Sequence, residues 1–245
     1  MLLEGKKVLI TGGSRGLGRS YCEVFARHGA DIAFTFSSDE KGAAETRAKI
    51  EALGRRGSVH RASVLDGAAM AEVVSKVEAA FGRIDVLVNN AGVSQVMPFP
   101  LIDEEDWDRV LDTNVKGTFI ATRAVLKGMI RRKSGVILNV GSLAGVRQIA
   151  APVHYATSKA AIKGFTESLS KEVARYQIRV NCVAPGLLEE GVARLIPDDR
   201  LKEYLDEVAL HRTGTFEEVT DFSAFLVSDR NSYMTGTTIV MDGGL

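Results

Sequence analysis

The chain has 245 residues, and its 31 Lys and Arg balance its 31 Asp and Glu, so its formal net charge is zero. This balance argues against binding of nucleic acid or an anionic membrane through bulk charge. Apolar residues make up 45% of the sequence, enough for a sizeable core, but no apolar run approaches the ~20 residues that cross a bilayer. Two cysteines without a CxxC pair and four histidines without zinc-ligand spacing predict neither a disulfide framework nor a metal site. We expect a soluble, cytoplasmic protein without a signal peptide.

Short apolar runs alternate with longer amphipathic stretches along the whole chain. The short runs are rich in β-branched residues and often end at Gly or Asn, which predicts buried strands. In chain order they are Val8–Ile10, Ile32–Phe36, Val59–Ala62, Val86–Val88, Val136–Val140, Val180–Val183 and Thr238–Met241. The stretches between them have helical periodicity. These are Gly18–His28, Glu40–Leu53, Ala68–Phe81, Glu104–Arg132, Tyr155–Tyr176, Arg200–Leu210 and Phe216–Ser228.

Continuously apolar strands separated by helices predict a parallel sheet that is covered on both faces. Seven such strands give one α/β domain over residues 1–245, a doubly wound sheet of the Rossmann type that binds ligands at the carboxyl ends of its strands. Residues 187–210 interrupt the alternation before the last strand with two glutamates, a Pro-Asp-Asp and a loosely amphipathic helix. We expect a small substrate lid there.

A glycine-rich run, Thr11-Gly12-Gly13-Ser14-Arg15-Gly16-Leu17-Gly18, follows the first predicted strand and opens a helix. Glycines at this place allow a tight turn and close approach of the backbone to a pyrophosphate at the positive end of the helix. A glycine-rich turn without a ligand is the alternative, but the strand before the run and the helix after it favour a dinucleotide site.

The spacing TGxxxGxG is accompanied by further motifs, some at the ends of predicted strands and others in predicted helices. In chain order they are Asn89-Asn90-Ala91-Gly92, Asn114, Ser142, the YxxxK pair Tyr155 and Lys159, and Pro185-Gly186. Together they resemble the short-chain dehydrogenase/reductase family over the whole chain. Within that family the sequence looks most like the bacterial β-ketoacyl carrier-protein reductases. The resemblance implies a catalytic set of Asn114, Ser142, Tyr155 and Lys159.

The Tyr155 and Lys159 side chains are predicted to lie one turn apart on the same face of a helix. A nearby ammonium favours the phenolate form of a tyrosine, so Tyr155 can give its proton to a carbonyl oxygen as hydride reaches the carbon. Ser142 would hold and polarise that oxygen. The resemblance further implies that Lys159 holds the nicotinamide ribose and that Asn114 orders a water for proton resupply.

The resemblance also implies a set of cofactor-binding residues. They are Gly12, Ser14, Arg15, Gly16, Leu17, Gly18, Ser37, Ser38, Ser63, Val64, Asn90, Ala91, Gly92, Tyr155, Lys159, Pro185, Gly186 and Leu188. NAD preference usually requires a carboxylate at the end of the second strand, where this chain has Phe36. The two serines after Phe36 and the guanidinium of Arg15 can instead bind a 2′-phosphate. We expect NADP(H), and the acidic pair that follows the serines leaves NAD(H) as the alternative.

Basic residues on two long helices suggest a protein partner. The resemblance implies docking of an acidic carrier protein beside the site entrance, and this chain offers Arg131, Arg132, Lys171 and Arg175. Such a patch could steer an acidic partner, although basic residues at helix C-termini also complement the helix dipole. The resemblance implies a homotetramer in which the long helices pair between subunits.

Three functions remain open. The first is NADPH-dependent reduction of a carrier-bound 3-oxoacyl thioester, as in fatty-acid or polyketide-type synthesis. The second is oxidation or reduction of a free small alcohol or ketone. The third is dinucleotide binding without catalysis, which the intact catalytic set argues against.

Overall fold

The structure, a computed structural model, describes residues 1–191 and 198–245. It contains seven strands: β1 Lys7–Ile10, β2 Asp31–Phe36, β3 Gly57–Arg61, β4 Val86–Asn89, β5 Gly135–Val140, β6 Ile178–Pro185 and β7 Thr238–Met241. Its α-helices are α1 Gly16–Arg27, α2 Glu40–Ala52, α3 Gly67–Phe81, α4 Glu104–Leu111, α5 Gly117–Arg132, α6 Val153–Val173, α7 Asp198–Glu207 and α8 Phe216–Val227. Short 3₁₀ turns cover Phe99–Leu101, Leu143–Gly145 and Ala174–Tyr176.

All seven strands form one parallel sheet in the order β3-β2-β1-β4-β5-β6-β7. The direction of winding reverses between β1 and β4, where Val8 lies opposite both Ile32 and Val86. In an open α/β sheet such a switch point leaves a crevice at the carboxyl ends of the strands. The predicted doubly wound sheet is confirmed.

Each face of the sheet has its own hydrophobic core. Val8 and Ile10 point to the face that packs against Phe25 of α1, whereas Leu9 points to the opposite face and packs with Met129 of α5. Burying a side chain of this size stabilises the fold by roughly 1.5–3 kcal/mol. Burial on alternate faces explains why the central strands are continuously apolar in sequence.

One predicted helix differs in the structure. The sequence predicts a single helix over Glu104–Arg132, but a π-helical turn at Asp112–Lys116 separates α4 from α5. The Thr118 hydroxyl, in the first turn of α5, donates to the Asn114 carbonyl oxygen of the π turn at 2.8 Å. A Cβ on Gly117 would come within 2.6 Å of Val64, so the glycine allows the wide turn to press against the loop after β3. Such turns are frequent at functional sites.

The predicted lid over 187–210 is described only in part, because residues 192–197 lie outside the described residues. Before them the backbone N–H of Leu187 donates to the Tyr204 hydroxyl of α7 at 3.1 Å, and Leu188 forms a β-bridge with Gly214. The lid therefore stays a prediction. Among the described helices, none combines the length and apolar character that a bilayer crossing requires.

Candidate active site

The predicted site residues gather at the carboxyl edge of the sheet. The glycine loop joins β1 to α1, and Asn90 to Gly92 follow β4 on the neighbouring strand. Ser142 follows β5, and Tyr155 lies in the first turn of α6. The sheet order therefore brings motifs from distant parts of the sequence to one crevice.

The glycines of the loop between β1 and α1 are required by backbone conformation at two positions and by close packing at a third. Gly12 has a φ of +72° and Gly16 of +55°, which favour glycine. A Cβ on Gly18 would collide with the Gly12 carbonyl oxygen and come within 2.5 Å of the Asn90 side-chain nitrogen. The loop thus presents bare backbone at the start of α1, and this arrangement fits a dinucleotide pyrophosphate.

Hydrogen bonds join this loop to the turn after β4. The Asn90 side-chain amide donates to the carbonyl oxygens of Thr11 and Gly12 at 3.0 and 3.1 Å. The Thr11 hydroxyl accepts from the backbone N–H groups of Asn90 and Ala91 at 3.1 and 3.0 Å. The two loops on either side of the crevice are therefore held as one unit.

Two arginines near the loop have different surroundings. Arg19 donates to the Ser14 carbonyl oxygen at 2.8 Å and to that of Gly42 at 3.1 Å, and it forms an ion pair with Glu45. Arg15 is exposed at the N-cap of α1. Arg19 thus stabilises the loop, whereas the Arg15 guanidinium is accessible to an anionic ligand.

The end of β2 offers hydroxyls to a ligand. Phe36 is only 7% exposed and packs in the core, while Ser37 and Ser38 are exposed. The Asp39 carboxylate caps α2 by accepting from the Gly42 backbone N–H at 2.9 Å. This cap uses the side chain that was the nearest candidate for binding a ribose 2′-hydroxyl.

Beyond β3, the two predicted adenine-side residues differ in exposure. Ser63 is exposed, and its hydroxyl accepts from the backbone N–H of Leu65 at 3.2 Å. Val64 is 8% exposed, with its side chain against Gly117. A cofactor would therefore meet Val64 through its backbone.

The YxxxK pair lies where α6 begins. Lys159 is only 8% exposed, and its ammonium donates to the Val140 carbonyl oxygen at 2.8 Å, 5.6 Å from the centre of the Tyr155 ring. Burying an ammonium is costly unless it is hydrogen-bonded, and the end of β5 supplies that bond. The strand thus fixes the charge beside the tyrosine.

Ser142 is positioned by a short turn that packs against the same helix. Its backbone is extended, and its hydroxyl accepts from the Ala144 backbone N–H at 3.3 Å at the start of the 3₁₀ turn. A Cβ on Gly145 would collide with the backbone of Lys159 and Ala160. Sequence reasoning missed Gly145, because glycine in a loop carries no signal of which element it will touch.

Asn114 is buried in the π turn and joins three elements. Its side-chain oxygen accepts from the Val93 backbone N–H at 2.8 Å. Its amide nitrogen donates to the Val93 carbonyl oxygen at 3.0 Å and to the Ser158 hydroxyl at 2.9 Å. The side chain therefore holds the loop after β4 against α6, and its part in proton resupply stays a prediction.

His154, beside Tyr155, is fully buried. Among the described residues neither of its ring nitrogens has a hydrogen-bond partner, and burial lowers the pKa of the imidazole. The ring is therefore a packed, buried part of α6.

The four basic residues proposed for docking do not border this site within one subunit. Arg132 pairs with Glu78 and donates to the Ile84 carbonyl oxygen at 2.7 Å. Arg131, Lys171 and Arg175 are exposed where α5 and α6 end, at the amino edge of the sheet. Lys171 follows Tyr155 by sixteen positions on α6, a rise of about 24 Å. The expected position beside the entrance is therefore wrong for a single subunit, because both helices run away from the catalytic edge.

Comparisons with known proteins agree with this geometry. The model of the short chain dehydrogenase family matches residues 6–200. The chain is 41% identical to the 3-oxoacyl-[acyl-carrier-protein] reductase FabG of Thermotoga maritima and 37% identical to that of Escherichia coli K12, covering 100% of this chain and 99% of each relative. These matches confirm the resemblance to 3-oxoacyl carrier-protein reductases.

Solved structures show the same fold. A short-chain dehydrogenase from Burkholderia cenocepacia J2315 in complex with NADP superposes with a TM-score of 0.91 at 33% identity. A short-chain dehydrogenase/reductase from Serratia marcescens BCRC 10948 has a TM-score of 0.91 at 30% identity, and both matches cover 100% of this chain and 99% of the other. The chain therefore belongs to the short-chain dehydrogenase family and is an NAD(P)-dependent oxidoreductase that acts on a CH–OH or C=O group.

Proposed function

We propose that the protein is an NADPH-dependent ketoreductase whose substrate is a 3-oxoacyl thioester on a carrier protein. The observation that carries ketone reduction is the buried Lys159 ammonium 5.6 Å from the Tyr155 ring, at the same edge as the glycine loop. The substrate class rests on relatives at 37–41% identity that are named as 3-oxoacyl-[acyl-carrier-protein] reductases.

In this proposal each catalytic side chain has one task. The bound nicotinamide supplies the hydride that reaches the carbonyl carbon. The Ser142 hydroxyl donates a hydrogen bond to the carbonyl oxygen, and Tyr155 transfers its phenolic proton to that oxygen, so that the ketone becomes an alcohol. The Lys159 ammonium, oriented by Val140, stabilises the phenolate that remains. Asn114 keeps the loop after β4 in place against α6.

The preference for NADPH rests on the end of β2. A buried phenylalanine stands where NAD-binding relatives place a carboxylate, and Asp39 caps α2. Ser37, Ser38 and Arg15 are exposed around the turn. Hydroxyls and a guanidinium suit a phosphate better than they suit a ribose hydroxyl.

In this proposal a carrier protein docks on an assembly of subunits and not on a single subunit. Arg131, Lys171 and Arg175 lie at the far end of α5 and α6 from Tyr155. A two-fold axis perpendicular to the paired helices makes them antiparallel, which brings the basic end of one subunit towards the crevice of its partner. The exposed side chain of Phe119 on α5 supports such a pairing, and we propose a homotetramer.

Reduction of a free ketone is the second candidate. The segment after β4 exposes apolar side chains, namely Val93, Val96, Phe99 and Leu101. Such a surface suits an acyl chain or an apolar ketone whether or not a carrier is attached. The distance between the basic residues and Tyr155 within one subunit favours this candidate if the protein is monomeric.

The test is oxidation of NADPH, followed by absorbance, with an acetoacetyl thioester free and attached to a carrier protein, each repeated with NADH. We expect NADPH and the carrier-bound substrate to be preferred. Turnover of free ketones alone would replace the carrier-bound substrate with the second candidate, and binding of NADPH without turnover of any ketone would support the non-catalytic reading.

A charge-reversal pair tests docking in the same assay. Arg131→Glu combined with Lys171→Glu should raise the KM for the carrier-bound thioester and leave the KM for the free thioester unchanged, because only the carrier meets these residues. Lys76→Glu on the exposed face of α3 serves as the control. Equal effects on both substrates would contradict docking, and elution at the mass of a monomer would contradict the tetramer.

A further inference from the structure

Arg61 ends β3 beside the proposed NADPH site, and the sequence did not single it out. It lies opposite Phe36 in the β2–β3 register, and its Nε donates to the Ser37 carbonyl oxygen at 3.3 Å. Its side chain is otherwise exposed. We propose that Arg61 is a second binding residue for the 2′-phosphate of NADPH and that it acts together with Arg15. This inference rests on the proposed preference for NADPH.

The sheet order places the two arginines on opposite sides of one turn. β2 lies between β3 and β1, and all three strands end at the same edge. Arg61 ends β3, Arg15 lies in the loop after β1, and Ser37 and Ser38 follow β2 between them. A phosphate held over the two hydroxyls therefore has a guanidinium on each side.

Charges nearby leave these two arginines accessible. In the described parts of the chain, neither Arg15 nor Arg61 forms an ion pair, whereas Arg19 is paired with Glu45 and bonded to the Ser14 carbonyl oxygen. The exposed carboxylate of Glu40 follows the turn, and the exposed ammonium of Lys41 adjoins it. Asp39, the other acidic residue of this turn, caps α2. The three cationic groups thus outnumber the two carboxylates at this corner.

The chemistry of the 2′-phosphate matches this arrangement. A phosphate monoester carries nearly two negative charges at neutral pH and has three strong acceptor oxygens. The Nε bond to Ser37 orients the Arg61 guanidinium, whose two terminal nitrogens remain as donors in a fixed plane. NADH offers only a hydroxyl here, so the two cations would face each other without an anion between them. The two arginines therefore bind the 2′-phosphate and also discriminate NADPH from NADH.

The experiment measures binding rather than turnover. NADPH and NADH are titrated by fluorescence against the wild type and Arg61→Gln, and 2′,5′-ADP and 5′-AMP are titrated by calorimetry as ligands without a nicotinamide. We expect Arg61→Gln to lower the affinity for NADPH and for 2′,5′-ADP by about tenfold, which is the effect of losing one exposed charge-assisted hydrogen bond. The affinities for NADH and 5′-AMP should change by less than about twofold, since these ligands lack the 2′-phosphate.

Matched variants separate a phosphate contact from general charge. Arg47→Gln removes the same charge from the exposed face of α2 and should leave both affinities unchanged. Arg15→Ala should weaken NADPH as Arg61→Gln does. Arg61→Lys keeps the charge but lacks the planar fork, so its affinity for NADPH should lie between those of the wild type and Arg61→Gln. This variant keeps the test possible if the glutamine variant does not fold.

The outcomes distinguish this inference from the proposed function. Wild type that binds NADH as tightly as NADPH would overturn the proposed cofactor and this inference with it. Wild type that prefers NADPH, with the preference unchanged in Arg61→Gln and Arg61→Lys, would overturn the role of Arg61 alone. Equal weakening of both cofactors would also overturn it, because Arg61 would then act only on the β2–β3 edge.

Discussion

A carboxylate at the amino edge of the sheet and two arginines at the carboxyl edge have different surroundings. At the amino edge Asp31 is bonded to Lys7 at 2.6 Å and to the Arg56 side chain at 2.9 Å. Burial alone would raise the pKa of this carboxyl, but Lys7 and Arg56 lower it to about 2. At the carboxyl edge Arg15 and Arg61 are exposed. The charges around Asp31 are paired within the fold, whereas the two arginines at the carboxyl edge are accessible to ligands.

A cavity at the amino edge shows why size alone does not identify a site. It has a volume of about 530 Å³ and is lined by Lys6, Arg179 and Asp229 among others. Lys6 pairs with Asp229, and Arg179 donates to the Leu226 carbonyl oxygen at 2.9 Å and that of Ser228 at 3.0 Å. These groups already have partners, whereas the crevice at the other edge has bare backbone and accessible guanidiniums.

Tyr155→Phe should have the largest effect on activity of the substitutions at the carboxyl edge. Loss of the proton donor should lower kcat by about 10³-fold, within the range for general acid catalysis, while NADPH affinity and the unfolding midpoint stay near those of the wild type. Steady-state kinetics, cofactor titration and urea unfolding measure the three quantities. Retained turnover would contradict the role of Tyr155 as the acid.

Gly18→Ala should damage the crevice through packing. The added methyl group collides with the Gly12 carbonyl oxygen and the Asn90 amide, so the glycine loop must move. We expect NADPH affinity to fall by more than about tenfold and the free energy of unfolding to fall by about 1–3 kcal/mol, as for other overpacked sites. Gly164→Ala, at a helical glycine of α6 with no atom within 4 Å of its Cβ position, controls for the added methyl group. Unchanged NADPH affinity would contradict the close packing of the loop.

Asp31→Asn should affect stability and not activity. The pKa of Asp31 is lowered from its ordinary value of 3.8 to about 2, which corresponds to roughly 2 kcal/mol of stability at neutral pH. A lowered pKa means that this contribution is complete above about pH 4 and is lost as the pH falls through 2. Urea unfolding from pH 7 to 2 should show a gap between the two proteins that closes on acidification. A gap that does not change with pH, or a change in kcat, would break the contrast between the edges.

The sequence was sufficient for the sheet and for the main parts of the site. Apolar runs such as Val86–Val88 need both faces buried, and the glycine run needs a backbone that few other residues adopt, so local chemistry determines both. Tyr155 and Lys159 are four residues apart on a helix, which places their side chains on one face and is also a local property.

The remaining features depend on contacts between distant segments. Arg61 lies beside Ser37 only because β3 pairs with β2 in a particular register. The docking residues were expected near the entrance, but the direction of α5 and α6 places them at the other edge. The π turn depends on Gly117 meeting Val64, a contact that helical periodicity does not reveal.

The π turn also makes chain length critical at one place. A π turn takes up one residue more than an α-helical turn, so removal of one residue from Asp112–Lys116 would restore regular winding and redirect the side chains within the turn, while α5 keeps nearly the same orientation. Asn114 would then turn away from Val93 or from Ser158. A single-codon deletion, which many surface loops tolerate, should here be as harmful as loss of the asparagine itself.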